Sequence, residues 1–340
     1  MKKEHIEGLD HVRAVMSVCV VCWHVRVIGV SDIFNINAYQ THHFDIIDFF
    51  NFHVFLLSVP AFLLVSNYLF AIGGAGATLL WRRISRILLL LTFWTFAYLT
   101  VFNGFGGAVK MLQSSDRSML VLILRAGFTI YYFFVSLIIC YVATYAVAKA
   151  SRIIQLVLLV LSVLFLEAAP HIAAATGVLG ICSYWNPTNF VPYAVAAVVV
   201  ASHREFIGGH RLKVLMASLA LAVVLAAWEW HYSIGQVIFL AEKQGLPSYT
   251  RGSLVFGAIA VLVLATDPRL RSGRMVKFMS AYSLALYCIH PFFVSGVKGG
   301  LDRVLGQGAI STALAVPVII LASYVTVVVL RLYLRREILE

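Results

Sequence analysis

Apolar residues run in long stretches along this chain, and short clusters of charged or glycine-rich residues separate them. A helix needs roughly 20 apolar residues to cross a bilayer, and fewer when it packs inside a bundle. Measured against that length, the pattern predicts about ten membrane-spanning helices. They are centred on residues 12–30, 47–70, 84–103, 129–148, 153–169, 189–202, 212–228, 251–266, 277–296 and 310–333. The apolar segment 117–127 is too short to span, and we expect it to lie at the interface or to re-enter the membrane.

The composition agrees with this pattern. Of 340 residues, 61% are hydrophobic and only 12% are charged, about half the charged share of an ordinary soluble protein. The predicted fold class is therefore all-α, a polytopic transmembrane helix bundle. Because no internal repeat or soluble segment is visible, we expect a single transmembrane domain over residues 1–340.

The distribution of Lys and Arg predicts the orientation of the chain. With the N-terminus inside, 17 of the 26 basic residues fall on cytoplasmic segments and 8 on outer segments, while Arg13 lies at the start of a helix. The positive-inside rule then predicts that both termini are cytoplasmic, in a bacterial-type inner membrane. The net charge of +11 is not arranged as a basic arm, so we expect membrane lipids and not nucleic acid as partners.

Ionisable side chains inside a membrane are costly, which makes each one a candidate for function. The first predicted helix carries Arg13 and His24. Their spacing of 11 residues is nearly three helical turns, so both face one side, about 16 Å apart along the axis. Arg13 then lies at the cytoplasmic edge and His24 beyond the middle. A cation there suits the phosphates of an acyl-CoA, and a deeper imidazole suits a general base. A snorkelling Arg13 and a core-packed His24 remain the alternatives.

A second group of residues is predicted at the same cytoplasmic rim. A glycine-rich turn is followed by WRRISRI at 81–87, and guanidinium clusters suit phosphate recognition. The alternative is a topology signal alone. The predicted donor-binding residues are Arg13, Arg82, Arg83, Arg86, Ser66 and Asn67.

Two further histidines and a loop suggest where an acceptor binds. His53 and His290 are predicted near the depth of His24, where they would orient an acceptor or stabilise an oxyanion. Loop 170–188 has no Lys, Arg, Asp or Glu, and it contains aromatic residues. An uncharged aromatic loop suits contact with a sugar ring, and it suits a membrane interface equally well. The predicted acceptor residues are His53, His290, Tyr287, Trp185 and Asn186. Since the ligand spacings of a metal site are absent, we expect no metal.

Several stretches together resemble the acyltransferase type 3 family of integral membrane acyltransferases. They are LDHVRAVMSVCVVCWH at 9–24, FHVFLLSVPAFLLVSNYLF at 52–70, WRRISRI at 81–87, IYYFFVSLIICYVATY at 130–145 and AYSLALYCIHPFF at 281–293. The resemblance implies transfer of an acyl group, usually acetyl, from cytoplasmic acetyl-CoA or another acyl-CoA to a surface or exported carbohydrate, such as an exopolysaccharide or a glycolipid. The family's Arg-ten-His pair matches Arg13, implied in donor binding, and His24, implied in catalysis. Where the family usually has Ser-Gly, this chain has Ser66-Asn67.

Other functions remain open at this point. Ionisable residues at mid-membrane and a helix broken by Pro60 also suit a secondary transporter or flippase. A membrane-bound O-acyltransferase of the unrelated type uses a membrane histidine too, and a non-enzymatic assembly subunit is the third alternative. The sequence does not distinguish direct transfer from a covalent acyl-His24 intermediate.

Overall fold

The computed structural model describes residues 5–25, 49–113, 129–233 and 247–333. Within these ranges the protein has 13 α-helices and no strand, which confirms the all-α prediction. The helices are α1 (Gly8–Val25), α2 (Ser58–Ile72), α3 (Ala77–Gln113), α4 (Tyr132–Val147), α5 (Arg152–Thr176), α6 (Val191–Ser202), α7 (Arg204–Gly209), α8 (Arg211–Ser233), α9 (Gly252–Ala265), α10 (Arg274–Ala281), α11 (Ser283–Ile289), α12 (Pro291–Leu305) and α13 (Ala309–Leu330). A π-helical turn, Phe50–Phe55, precedes α2.

Long apolar helices identify an integral membrane protein. Five helices in the described ranges are long and apolar enough to cross a bilayer, and a sixth is obtained if the bent pair α11 and α12 counts as one. Shorter apolar helices cover Tyr132–Val147, Pro187–Ser202 and Gly252–Ala265. Every predicted segment overlaps a helix, but the count of ten spans and the orientation of the termini stay predictions.

Two helices run further than the apolar pattern predicts. Helix α3 begins at Ala77, so the basic WRRISRI stretch is already helical, and it continues past a kink at Gly104 to Gln113. Gly104 has φ 68°, a conformation that glycine adopts without a Cβ clash. Helix α5 passes through Pro170 to Thr176, which shortens the predicted loop 170–188. The predicted interfacial or re-entrant segment 117–127 lies outside the described residues.

The predicted single helix 277–296 is wrong. The structure has three short helices there, with breaks at Tyr282 and His290, and α11 and α12 are bent by 61° relative to each other. Pro291 explains the second break, because proline lacks an amide proton and its ring clashes with the preceding helical turn. The break places His290 at a corner of the backbone, between two helix ends.

Helix α1 lies at the centre of the bundle, although it is only 18 residues long. It contacts α2, α9, α10, α11 and α13. At Gly8 the backbone of α1 approaches α9 so closely that a Cβ would lie 2.0 Å from the carbonyl oxygen of Ala265. Two residues further on, the Asp10 carboxylate accepts hydrogen bonds from Ser280 (2.8 Å) and Ser272 (3.1 Å). The start of the chain is thus anchored by residues from its last third.

Candidate active site

Two of the three predicted histidines meet in the structure. His24 lies in the last turn of α1, and His290 lies at the corner between α11 and α12. Their ring centroids are 5.0 Å apart, with the planes inclined by 45°. His24 is exposed, whereas His290 is fully buried. The pair therefore presents one accessible imidazole backed by a second that lies inside the protein.

A hydrogen bond indicates the tautomer of His290. Its Nδ1 lies 3.1 Å from the carbonyl oxygen of Leu286, and because a carbonyl only accepts, we infer that Nδ1 carries the proton. In the neutral ring Nε2 then holds a lone pair. This buried nitrogen makes no hydrogen bond to any part of the chain that the structure describes. An unpaired buried acceptor costs about 1–3 kcal/mol, which is typical of a position that a ligand or water completes.

The other two predicted acceptor residues near this depth have partners of their own. His53 lies in the π-helical turn, where its Nε2 accepts a hydrogen bond of 2.8 Å from the indole of Trp230. The ring of Tyr287 lies 6.0 Å from that of His290, but its hydroxyl donates to the carbonyl of Ile130 at 2.7 Å. His53 is therefore hydrogen-bonded to α8, and Tyr287 packs behind His290.

The other end of α1 carries Arg13, which lies within range of charge interaction with Asp10, Tyr141 and Arg83. Arg83 donates from Nη1 to the Tyr141 hydroxyl (2.9 Å) and to the backbone carbonyl of Ser66 (3.2 Å). Its guanidinium also lies over the ring of Phe70, 5.3 Å from the centroid. This end of α1 therefore holds an arginine pair, Arg13 and Arg83, and guanidinium groups are the preferred partners of phosphate and carboxylate oxygens.

The remaining predicted donor-binding residues do not join this pair. Arg82 and Arg86 are one turn apart on α3 and are both exposed, whereas Arg83 is half-buried. Asn67 is fully buried and links α2 to α4. Its Nδ2 donates to the carbonyl of Leu63 at 2.8 Å, and its Oδ1 accepts from the hydroxyl of Thr144 at 2.8 Å. Asn67 is thus a packing residue, and Arg82 and Arg86 face the surroundings.

The asparagine of the predicted sugar-binding loop forms hydrogen bonds within the loop itself. Asn186 donates to the carbonyl of Gly180 at 3.0 Å and accepts from the amide of Thr188 at 3.1 Å. Its amide group therefore stabilises the loop itself. Trp185 is half-buried and packs against the core of the bundle.

A buried polar cluster was missed by sequence reasoning. Glu229 of α8 accepts hydrogen bonds from the amide (2.8 Å) and hydroxyl (2.5 Å) of Ser253, and Arg251 lies 4.0 Å from the same carboxylate. Glu167 of α5 accepts from the amide of Gly252 at 2.9 Å. Glu167 falls inside the predicted helix 153–169, so the rule that membrane-embedded charges are functional candidates identifies it. Glu229 directly follows the predicted helix 212–228, and Arg251 begins the predicted helix 251–266, so charge at these positions carries no such signal.

Metal ligation has no support in this arrangement. Among the residues that the structure describes, no group of three His, Cys, Asp or Glu side chains is placed to hold an ion. Cys19 and Cys22, which lie one turn apart on α1, are free thiols.

The described part of the chain is thus a helical membrane bundle whose central helix supplies one member of an imidazole pair and one member of a guanidinium pair. The chain belongs to the acyltransferase type 3 family, whose family model, described as an acyltransferase domain, matches residues 6–332, nearly the whole chain. This confirms the resemblance seen in the sequence and identifies the protein as a membrane acyltransferase. Comparison with curated proteins and with solved structures finds no match.

Proposed function

We propose that this protein transfers an acyl group, acetyl in the simplest case, from cytoplasmic acyl-CoA to a hydroxyl of a cell-surface or exported carbohydrate. The observation that carries the proposal is the pairing of His24 with His290 at a ring separation of 5.0 Å. The arginine pair supports it, because Arg13 lies on the same continuous helix as His24, about 16 Å away by the helical rise. A donor with an anionic head and a long neutral arm suits that separation.

In this proposal the donor binds by its phosphates. Arg13 and Arg83 hold them at the cytoplasmic end, with the backbone carbonyl of Ser66 fixing the guanidinium of Arg83. The pantetheine arm then runs along α1, and the thioester reaches the histidine pair. The exposed Arg82 and Arg86 extend the positive surface toward anionic lipid head groups.

The chemical step is a direct transfer. His24 removes the proton from the acceptor hydroxyl as the oxygen attacks the thioester carbonyl carbon. The tetrahedral intermediate collapses, the carbon–sulfur bond breaks, and the CoA thiolate takes the proton back from His24. His290 presents a lone pair at Nε2, so it accepts a hydrogen bond from the imidazolium that forms on His24. That role suits its tautomer better than donation to an oxyanion.

A radiolabelled donor tests the proposal. The purified protein is incubated with [14C]acetyl-CoA and a membrane and polysaccharide extract, and CoA thiol release and label in carbohydrate are followed. Replacing His24 by Ala removes the base and is expected to lower kcat by about 10²- to 10⁴-fold without loss of folded protein. The matched control is His210→Ala, at an exposed histidine in the turn between α7 and α8. Wild-type turnover in the His24→Ala variant refutes the proposal.

Transport remains the competing function, because broken helices such as α11 and α12 also occur in transporters. The family match supports acyl transfer instead. The same assay distinguishes them, since a transporter or flippase forms no new covalent bond between acetyl and carbohydrate.

A further inference from the structure

Arg251 is a buried cation that neither the proposed donor binding nor the proposed proton transfer uses. It lies directly before α9 and is only 1% exposed. Its Nη1 lies 4.0 Å from the carboxylate of Glu229, which is also buried. A buried ion pair is weak evidence for stability, because apolar residues of similar size often stabilise a protein as well or better. A charge buried among apolar helices is therefore a candidate for function.

The packing of α9 on α1 places Arg251 at the level of the histidine pair. At one end Gly8 of α1 closely approaches Ala265 of α9. At the other end Phe52 contacts both Arg251, through a hydrogen bond, and Trp23, through its ring. The two helices thus run antiparallel. The helical rise puts Arg251 and Trp23 at about the same distance, roughly 20 Å, from the contact at Gly8, so Arg251 lies beside the last turn of α1.

Arg251 supports the π-helical form of the turn Phe50–Phe55. In an α-helix the amide of Leu56 would donate to the carbonyl of Phe52, four residues earlier. Here that amide donates to Asn51, five residues earlier, at 3.2 Å. The carbonyl of Phe52 accepts from Nη2 of Arg251 at 2.6 Å. The guanidinium thus supplies a donor where the π-helical register diverts one, and single π-helical turns are frequent at functional sites.

The ring of Phe52 connects this turn to α1. It lies 6.1 Å from the ring of Trp23, edge to face, and Trp23 directly precedes His24 in the last turn of α1. Val25 points to the opposite side of the helix, where it packs in a cluster with Leu286 of α11. The end of α1 is therefore held by α11 on one side and by the π-helical turn on the other, and the position of His24 depends on both.

We propose that Arg251 is a positioning residue for acyl transfer: through the carbonyl and the ring of Phe52 it fixes the last turn of α1, and so the distance between His24 and His290. The effect on the reaction rests on the proposed function, whereas the contacts do not. A displacement of about 1 Å at a reacting group costs about 10²-fold in rate, so a small movement of the turn is sufficient. The arginine pair lies at the other end of α1, so donor binding is expected to be unchanged.

Steady-state kinetics with [14C]acetyl-CoA in lipid nanodiscs distinguish positioning from donor binding. Phe52→Leu keeps the backbone carbonyl for Arg251 and removes the ring that contacts Trp23. We expect it to lower kcat by about tenfold or more and to leave KM for acetyl-CoA within about twofold. Arg251→Lys keeps a cationic donor and is expected to retain more activity than Arg251→Met. The matched control is Phe190→Leu, at a fully buried phenylalanine elsewhere, and wild-type kinetics are expected for it.

A double-mutant cycle on stability tests the connection without any donor. Arg251→Lys and Trp23→Leu are made singly and together, and chemical unfolding in detergent gives their free energies of unfolding. If Phe52 couples the two residues, the double variant loses less stability than the sum of the single losses.

Three results overturn the proposal: additive losses in the cycle, wild-type kcat in Phe52→Leu, or an equal loss of kcat in Phe52→Leu and Phe190→Leu. Phe52→Leu keeps the test decisive if a variant of Arg251 fails to fold. The proposed function is judged separately. If the wild-type protein transfers no acetyl group, that function is refuted, and the cycle alone then decides whether Arg251 holds the end of α1.

Discussion

A single hydrogen bond decides which nitrogen of His290 is available for chemistry. Nδ1 is engaged by the carbonyl of Leu286, and Nε2 is left unpaired in the interior. The amide nitrogen of asparagine reproduces the position of Nδ1–H, and the amide of glutamine reaches the position of Nε2. Substitutions at His290 can therefore distinguish its contribution to stability from its contribution to catalysis.

We expect His290→Asn to keep the bond to Leu286 and to unfold near the wild-type temperature, while turnover falls about 10²-fold because one interaction with the transition state is lost. His290→Gln is expected to unfold at a lower temperature, since the side-chain hydrogen bond to the carbonyl of Leu286 is lost and only the backbone amide of residue 290 still donates to it. Thermal unfolding and steady-state kinetics in detergent measure both quantities. Full activity in His290→Asn would show that the lone pair of Nε2 plays no part in the reaction.

Asn67 and Thr144 allow a prediction on stability. Asn67→Ala leaves the buried hydroxyl of Thr144 without its acceptor, so we expect a loss of about 1–3 kcal/mol. In Asn67→Ala/Thr144→Val both polar partners are gone, and much of that loss should be recovered. A double-mutant cycle by chemical unfolding measures the coupling. Additive losses would show that the hydrogen bond between α2 and α4 contributes nothing.

At the residue scale, the sequence predicted the site only where spacing along one helix determines it. Arg13 and His24 share α1, so the helical repeat places them. The contact between His24 and His290 depends on how helices from distant parts of the chain pack. The spacing of residues in the sequence does not specify that packing. The inward turn of Arg83 and the outward turn of Arg86 depend on which face of α3 meets α4. Apolar residues surround both positions, so the pattern does not reveal the buried face.

At the scale of elements, the close contact of α1 with α9 is the most sensitive feature. A methyl group at Gly8 would overlap the carbonyl oxygen of Ala265, which is backbone and cannot move aside. We expect Gly8→Ala to destabilise the protein by about 1–3 kcal/mol, the usual range for overpacking. Gly273→Ala is the matched control, because a Cβ there meets no atom within 4 Å. Equal unfolding temperatures in the two variants would contradict this packing.

The same anchor has a pH dependence. The backbone amide of Ser272 donates to the Glu7 carboxylate at 2.7 Å and, with Lys277 and Arg271 nearby, holds the pKa of Glu7 below its usual value. A lowered pKa in the folded state stabilises the protein above the unfolded pKa, and the effect disappears as pH falls through the folded value.

We therefore expect wild type to unfold at a higher temperature than Glu7→Gln at pH 7. The difference should shrink once the pH falls below about 4. Unfolding temperatures of both proteins across pH 3–8 give the comparison. A difference that is independent of pH would mean that the charge of Glu7 does not contribute to the anchor.

Hydropathy predicted the existence of the helices well and their ends poorly. The apolar pattern continues through AYSLALYCIHPFF, so nothing in it marks the breaks at Tyr282 and His290, and only Pro291 gives a local reason for the second. In α3 the pattern becomes less apolar near Gly104, and the chain there continues as helix after a kink. The thickness of the bilayer helps to predict which segments cross the membrane, but it does not predict where a helix ends inside the protein interior.

At the scale of the whole molecule, the open question is orientation. The excess of Lys and Arg on one set of segments predicts that both termini are cytoplasmic. We expect a C-terminal fusion to green fluorescent protein to be fluorescent and the matching fusion to alkaline phosphatase to be inactive, because the first folds inside the cell and the second outside. The reverse pair of results would place the arginine pair on the outer side and remove cytoplasmic acyl-CoA as the donor.

The central position of α1 has a consequence for biosynthesis. The ribosome makes α1 before the residues that hold it, from Ala265 to Ser280, and before its partner His290. Nascent chains and truncated products therefore contain His24 without the second imidazole. We expect such fragments to show no acyltransferase activity, because the histidine pair proposed for catalysis is incomplete in them.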